Sequence, residues 1–258
     1  MTTGIMNEYK IFVIGFNKCG TTSLHHFFDA NGIKSIHWHR GRISEKIFDN
    51  YLLGKPLIQG YEDYDAFSDI EHFDPKLGFR NAGHAFFRKL AIHDESAVFI
   101  LNFRDKEAWL QSRLNHGIYL LRTLLSMRAS DPEVAIQAWS EYFDRHIARV
   151  QRFFEREKER LCTLKIDEPN ANSKLVQFVE TLGVRCQERI IPKAHKTKKE
   201  NGNCSEDWYR YEACLKKEQE SIESAMTLLS ALKTQDRQLS RMINKRMRLY
   251  RAVIDSAS

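Results

Sequence analysis

The chain has 258 residues, 40 Lys+Arg against 34 Asp+Glu for a formal charge of +6, and is 42% hydrophobic and 29% charged. That suits one α/β domain with an appendage and a packed core, and excludes a disordered chain. The longest apolar run, Ala97-Val98-Phe99-Ile100-Leu101, is strand-sized and far short of the roughly 18–20 residues of a membrane span.

The N-terminus lacks the basic-then-apolar order of a signal peptide. The five cysteines, Cys19, Cys162, Cys186, Cys204 and Cys214, contain no C-x-x-C pair, which argues against a disulfide framework or a zinc site. Reduced thiols in a cytoplasmic protein, with no metal, are the expectation. Residues 1–183 balance at 24 basic and 24 acidic residues, so the whole excess lies in 184–258, with 16 and 10. A basic tail fits nucleic acid, an anionic surface or a solvated helix, and the solvated helix is preferred.

In chain order, residues 9–15 read as a short buried strand ending on glycine, followed by a helix over 21–30 with Leu24, Phe27 and Phe28 at helical spacing. Asn31-Gly32 stops that helix. A second strand spans 33–38, a short helix 44–53, a strand 64–70 and a helix 83–92. The clearest strand is 97–103. Asp105 caps a helix to about Asn115. A long helix runs from Pro132 to about Glu159, a strand from Leu161 to Ile166, and a helix over 172–182 ends at Gly183. This alternation predicts a parallel sheet covered by helices on both faces. Residues 1–200 form the predicted domain. Residues 201–258, with helical composition over 215–253, form a helical extension that packs on it or pairs two copies.

The first strand runs into Gly15-Phe16-Asn17-Lys18-Cys19-Gly20-Thr21-Thr22-Ser23. A glycine-bearing loop entering a helix N-terminus cradles anions, because main-chain N–H groups and the helix dipole converge there. Lys18 adds positive charge, and Thr21, Thr22 and Ser23 add hydroxyls. The string is not a Walker A sequence, since its lysine precedes the second glycine.

Lys18-Cys19-Gly20-Thr21-Thr22-Ser23-Leu24 resembles the 5′-phosphosulfate loop of sulfotransferases that use 3′-phosphoadenosine 5′-phosphosulfate (PAPS). The resemblance implies a P-loop three-layer fold. It also implies sulfuryl transfer to a hydroxyl or amine of a small-molecule, lipid or glycan acceptor. Lys18 and the residues through Ser23 would hold the phosphosulfate, with Cys19 at the variable position. A second match follows strand 97–103: the family places an arginine at such a strand end and a serine eight residues on to bind the 3′-phosphate, as Arg104 and Ser112 stand here. Lys106 departs from a common proline. Lys198 and Lys199 stand either as a degenerate counterpart of the family's basic C-terminal motif or in a solvated basic loop.

A general base must reach the acceptor. His37 and His39 follow the second strand and alternate around Trp38, so a continued strand puts both on one side. Asp69 follows the third strand, where relatives place an aspartate or a histidine. The role is divided between His37 and Asp69, with His39 behind. Acceptor contacts are expected from about 40–95 and 114–140, where Phe48, Tyr51, Tyr61, Tyr64, Phe67, Phe86, Phe87 and Tyr119 serve either a pocket or the core. Two other readings stand: a P-loop small-molecule kinase, with Asp167 at a strand end, and a non-catalytic nucleotide-binding protein with a basic tail. No specific nucleic acid partner is indicated.

Overall fold

The computed structural model describes residues 9–74, 78–116, 118–127 and 131–194. Lys198, Lys199 and the predicted extension over 201–258 lie outside these residues.

Five strands, β1 (Ile11–Val13), β2 (Ser35–His37), β3 (Ala66–Ser68), β6 (Val98–Phe103) and β7 (Leu161–Lys165), form one parallel sheet in the order β2-β3-β1-β6-β7. Between β3 and β6, β4 (Glu71–Asp74) and β5 (Gly78–Asn81) pair as an antiparallel ribbon. The register sets Ile11 against Ala66 on one side and Val98 on the other. The α/β architecture with a five-stranded parallel sheet, flanked by helices, follows the expectation.

Strand alternation explains the layers. Phe12, Ile14, Phe67, Phe99 and Leu101 face α2 (Arg42–Leu52), α3 (Ala82–His93) and α6 (Pro132–Phe153). Ile11, Val13, Ala66, Ile100 and Leu164 face α1 (Thr21–Ala30) and α7 (Ala171–Thr181). Both faces of these short strands are apolar, as a doubly covered parallel sheet requires. A third cluster, Phe16, Cys19, Trp109, Trp139 and Phe143, sits beyond the strand ends and joins α4 (Lys106–Leu114) to α6. Phe48, Phe67, Phe86 and Phe87 are buried in the core, which settles four of the pocket candidates as packing.

The observed elements differ from the predicted ones in three places. The long helix stops at Phe153 rather than near Glu159, and a short 3₁₀ turn, Lys158–Arg160, leads into β7. The β4–β5 ribbon has four-residue strands mixing charged and aromatic residues, too short for a periodic signal. The helix α5 (Ile118–Met127) packs on α6. No helix among the described residues is long and apolar enough to cross a membrane.

Candidate functional site

The chain turns from one side of the sheet to the other at β1, so a crevice is expected at the C-terminal end of this strand. Here lies the loop from Gly15 to Gly20. Gly15 is required by contact: a Cβ there would stand 1.9 Å from the Asn102 carbonyl oxygen on β6. Asn102, fully buried, accepts the Gly15 N–H at 3.1 Å and donates to the carbonyls of Phe16 (3.1 Å) and Cys19 (2.9 Å). One amide thus ties three points of the loop. The Trp109 indole donates to the Asn17 carbonyl at 3.1 Å.

Lys18 (φ 59°) and Gly20 (φ 77°) are in the left-handed region on either side of Cys19, a conformation that turns main-chain N–H groups into a concavity. Gly20 precedes α1, and no described side chain caps that helix. In contrast, α3, α4 and α6 are capped by Asn81, Asp105 and Asp131. The first-turn N–H donors of α1 therefore have no capping side chain among the described residues. Thr21 and Ser23 are buried, Thr22 is half-buried, and Ser23 Oγ accepts the Ala194 N–H at 3.2 Å. Cys19 is inaccessible to solvent, its thiol set in the aromatic cluster and pushed up by burial, so it offers no side chain to a ligand.

Beside the loop the structure brings together Lys18, Thr22, His37 and Asp69. His37 Nε2 lies 3.2 Å from Thr22 Oγ1 and 3.7 Å from Asp69 Oδ2, while Nδ1 lies 3.1 Å from Ser68 Oγ. Its ring stacks on His25, with centroids 5.6 Å apart. Asp69 has φ 54°, a backbone state that aspartate tolerates better than most residues. It leads into the β4–β5 ribbon. Burial and the neighbouring Glu71 hold its carboxyl well above the usual carboxylate range, against the pull of Lys18. Burial lowers the Lys18 ammonium, opposed by Asp69.

His39 does not join them. The second strand ends at His37, because Trp38, His39 and Arg40 all take positive φ (51°, 47° and 57°), followed by Gly41 at 83°. Strand alternation stops there, so His39 is not on the His37 side. It is exposed, with Nδ1 3.4 Å from the Tyr61 hydroxyl.

Arg104 and Ser112 stand on the β6–α4 segment, both half-buried. Arg104 Nε is buried with no hydrogen-bond partner among the described residues. Asp167, the strand-end acid of the kinase reading, accepts the Asp105 N–H at 2.9 Å and so serves the α4 turn.

Sequence reasoning missed a network that buttresses the loop. Asn17 Nδ2 donates to both Glu71 oxygens at 2.8 Å, Tyr119 donates to Glu71 Oε1 at 3.1 Å, and Arg113 Nη1 donates to Asn17 Oδ1 at 3.0 Å. Arg113 is buried over the Trp139 (4.4 Å) and Tyr119 (4.6 Å) rings. An arginine beside the motif serine Ser112 was the available signal, but the Glu71 partner comes from a ribbon the pattern did not show.

Among the described residues no group of three or more His, Cys, Asp or Glu is arranged to hold a metal ion. A recess of about 510 Å³ lined by Arg152, Glu155, Lys158 and Thr163 contains none of the motif residues. In comparisons with known proteins, no family model and no curated sequence matches the chain.

Proposed function

We propose that this chain is a PAPS-dependent sulfotransferase acting on a hydroxyl or amine of a small-molecule, lipid or glycan acceptor. The observation that carries the reading is the uncapped loop–helix junction of Lys18–Ser23, with a lysine, a histidine and an aspartate gathered at its rim. Three features fit the nucleotide. The concavity between Lys18 and Gly20 suits a phosphosulfate, and the open first turn of α1 complements its charge. The orphaned, buried Nε of Arg104 suits a 3′-phosphate, with Ser112 farther along the same segment. When bound, PAPS supplies an activated sulfuryl group on a good leaving group.

The chain's own residues then position and neutralise, as in phosphoryl transfer. Lys18 places its ammonium where negative charge grows. Thr21, Thr22 and Ser23 hold oxygens by hydroxyl or main-chain donors. Asp69 or His37 accepts the acceptor's proton. The two lie close enough to act as a pair, with Ser68 fixing the imidazole.

The kinase alternative lacks the lysine after the second glycine of the loop, and its strand-end acid, Asp167, accepts the Asp105 N–H through Oδ2. Release of adenosine 3′,5′-bisphosphate from PAPS, across a panel of phenolic, lipid and glycan hydroxyls and aryl amines, tests the proposal. Acceptor-dependent release that survives a magnesium chelator supports it. Magnesium-dependent turnover of ATP in its place overturns it.

A further inference from the structure

Behind the loop lies a second pair of histidines that the chemistry above does not use. His84, in the first turn of α3, and His146, on α6, are 4% and 1% exposed. Their rings stack at 3.7 Å with planes 17° apart. Each turns Nε2 to the main chain where β1 becomes the loop: His146 to the Ile14 carbonyl at 2.7 Å, His84 to the Gly15 carbonyl at 2.6 Å. A carbonyl only accepts, so both Nε2 atoms carry protons.

The remaining nitrogens face the Tyr142 hydroxyl, at His84 Nδ1, and Arg149 Nη2, 3.5 Å from His146 Nδ1. A guanidinium only donates, so His146 Nδ1 must accept and its ring must be neutral. The surroundings favour neutrality in both rings. Burial lowers each, to about 3 for His84 and well below the ordinary histidine range for His146. Arg149 opposes a charge on either ring, Arg113 opposes one on His84, and the stacked His84 opposes one on His146.

We propose that His84 and His146 are positioning residues for the phosphate loop: two neutral imidazoles, each donating Nε2–H to one of two successive carbonyls, that set the course of Ile14 and Gly15 so that the donors beyond them converge on an anion. The proposal rests on reading 15–23 as an anion-binding loop.

Three observations support a latch rather than incidental packing. The Gly15 N–H is already taken by Asn102, so His146 holds the carbonyl end of that same peptide and His84 the carbonyl of the next. Phe16, the next loop residue, meets both rings edge-on at 5.3 and 5.4 Å. Arg149 Nη2 donates to the His84 carbonyl at 2.8 Å, locking α6 to α3 behind the rings. Two helices far apart in sequence thus report their packing directly to the loop.

The test uses the full chain and four variants. His84→Phe and His146→Phe keep a flat ring without the donor, whereas His84→Gln and His146→Gln restore an N–H at comparable reach. Long-range ¹H–¹⁵N spectra of the wild type should show both rings as Nε2–H tautomers that do not titrate between pH 8 and 5. The Phe variants should move the amide resonances of Gly15 to Gly20 and weaken adenosine 3′,5′-bisphosphate binding about tenfold or more, and the Gln variants should recover most of both.

A ring titrating near 6.5, an Nδ1–H tautomer, or Phe variants with unmoved loop amides would overturn the latch. So would Gln variants no better than Phe. If the Phe variants do not fold, the wild-type ring spectrum decides. If the wild type binds no bisphosphate, the nucleotide reading fails, and the ring and loop resonances alone decide the latch.

Discussion

The loop from Gly15 to Gly20 and the neighbouring edge formed by the ends of β2 and β3 are built by different means. The loop's main chain is held by buried, uncharged groups, the Asn102 amide, the Trp109 indole and the His84 and His146 imidazoles, while its Asn17 side chain is tied to Glu71 and Arg113. The β2–β3 edge carries titratable side chains, His37 and Asp69, in one another's fields and in that of Lys18 reaching over from the loop, with Asp69 at positive φ. Neutral donors on the main chain give a cradle whose shape depends little on pH at and above neutrality. Interacting charges give a rim whose chemistry depends on it strongly. Nucleotide affinity should therefore vary little from about pH 7 to 9, while turnover varies strongly.

The largest expected effect breaks the rim. Asp69→Asn suits the same backbone and should cut single-turnover transfer about 10²–10⁴-fold if Asp69 is the base. Because the Asp69 pKa is raised and the ionised form is the base, wild-type turnover should climb as pH passes through that raised value. Asp69→Asn should abolish the climb. Comparing His37→Ala in the same experiment assigns the role: a variant with the wild-type rate removes its residue. Lys18→Ala should reduce turnover about 10²–10³-fold with a much smaller change in bisphosphate affinity. Arg104→Ala should do the converse, weakening bisphosphate about ten- to a hundredfold by calorimetry. Unchanged affinity would remove Arg104 from the site.

Smaller effects test the loop half. Folded His84 titrates at about 3 against 6.5 for an ordinary histidine, so on acidification the unfolded chain takes up the proton first. Stability should therefore fall as pH drops from 6.5 towards 3, by up to ~1.4 kcal/mol per pH unit for this ring. Denaturant titrations across that range should lose this slope in His84→Gln. At the bottom of the scale, His39→Ala should leave turnover within about twofold, since His39 meets Tyr61 rather than the rim.

The same contrast governs what could be read in the sequence. The loop half is local: Gly15 through Ser23 is one contiguous string, and strand, turn and helix follow each other in the order their residue types dictate. The sheet was legible because β1 and most of β6 are continuous apolar runs and the shorter strands alternate with helical segments between glycine or polar stops. The supports of the loop were not legible, because Asn102, Trp109, His84 and His146 reach it across 69 to 132 positions. Glu71 was hidden in a ribbon too short to show a period. His39 illustrates a local failure: alternation placed it with His37, and a left-handed turn starting one residue after the strand removed it.

The central claim is that the loop and Arg104 together hold an adenosine nucleotide phosphorylated at 3′. It is tested most directly by calorimetric titration of the full chain with adenosine 3′,5′-bisphosphate, without magnesium, against ATP with and without magnesium. Selective binding of the bisphosphate, lost in Arg104→Ala, is the expected result. No binding, or a preference for ATP with magnesium, would contradict it.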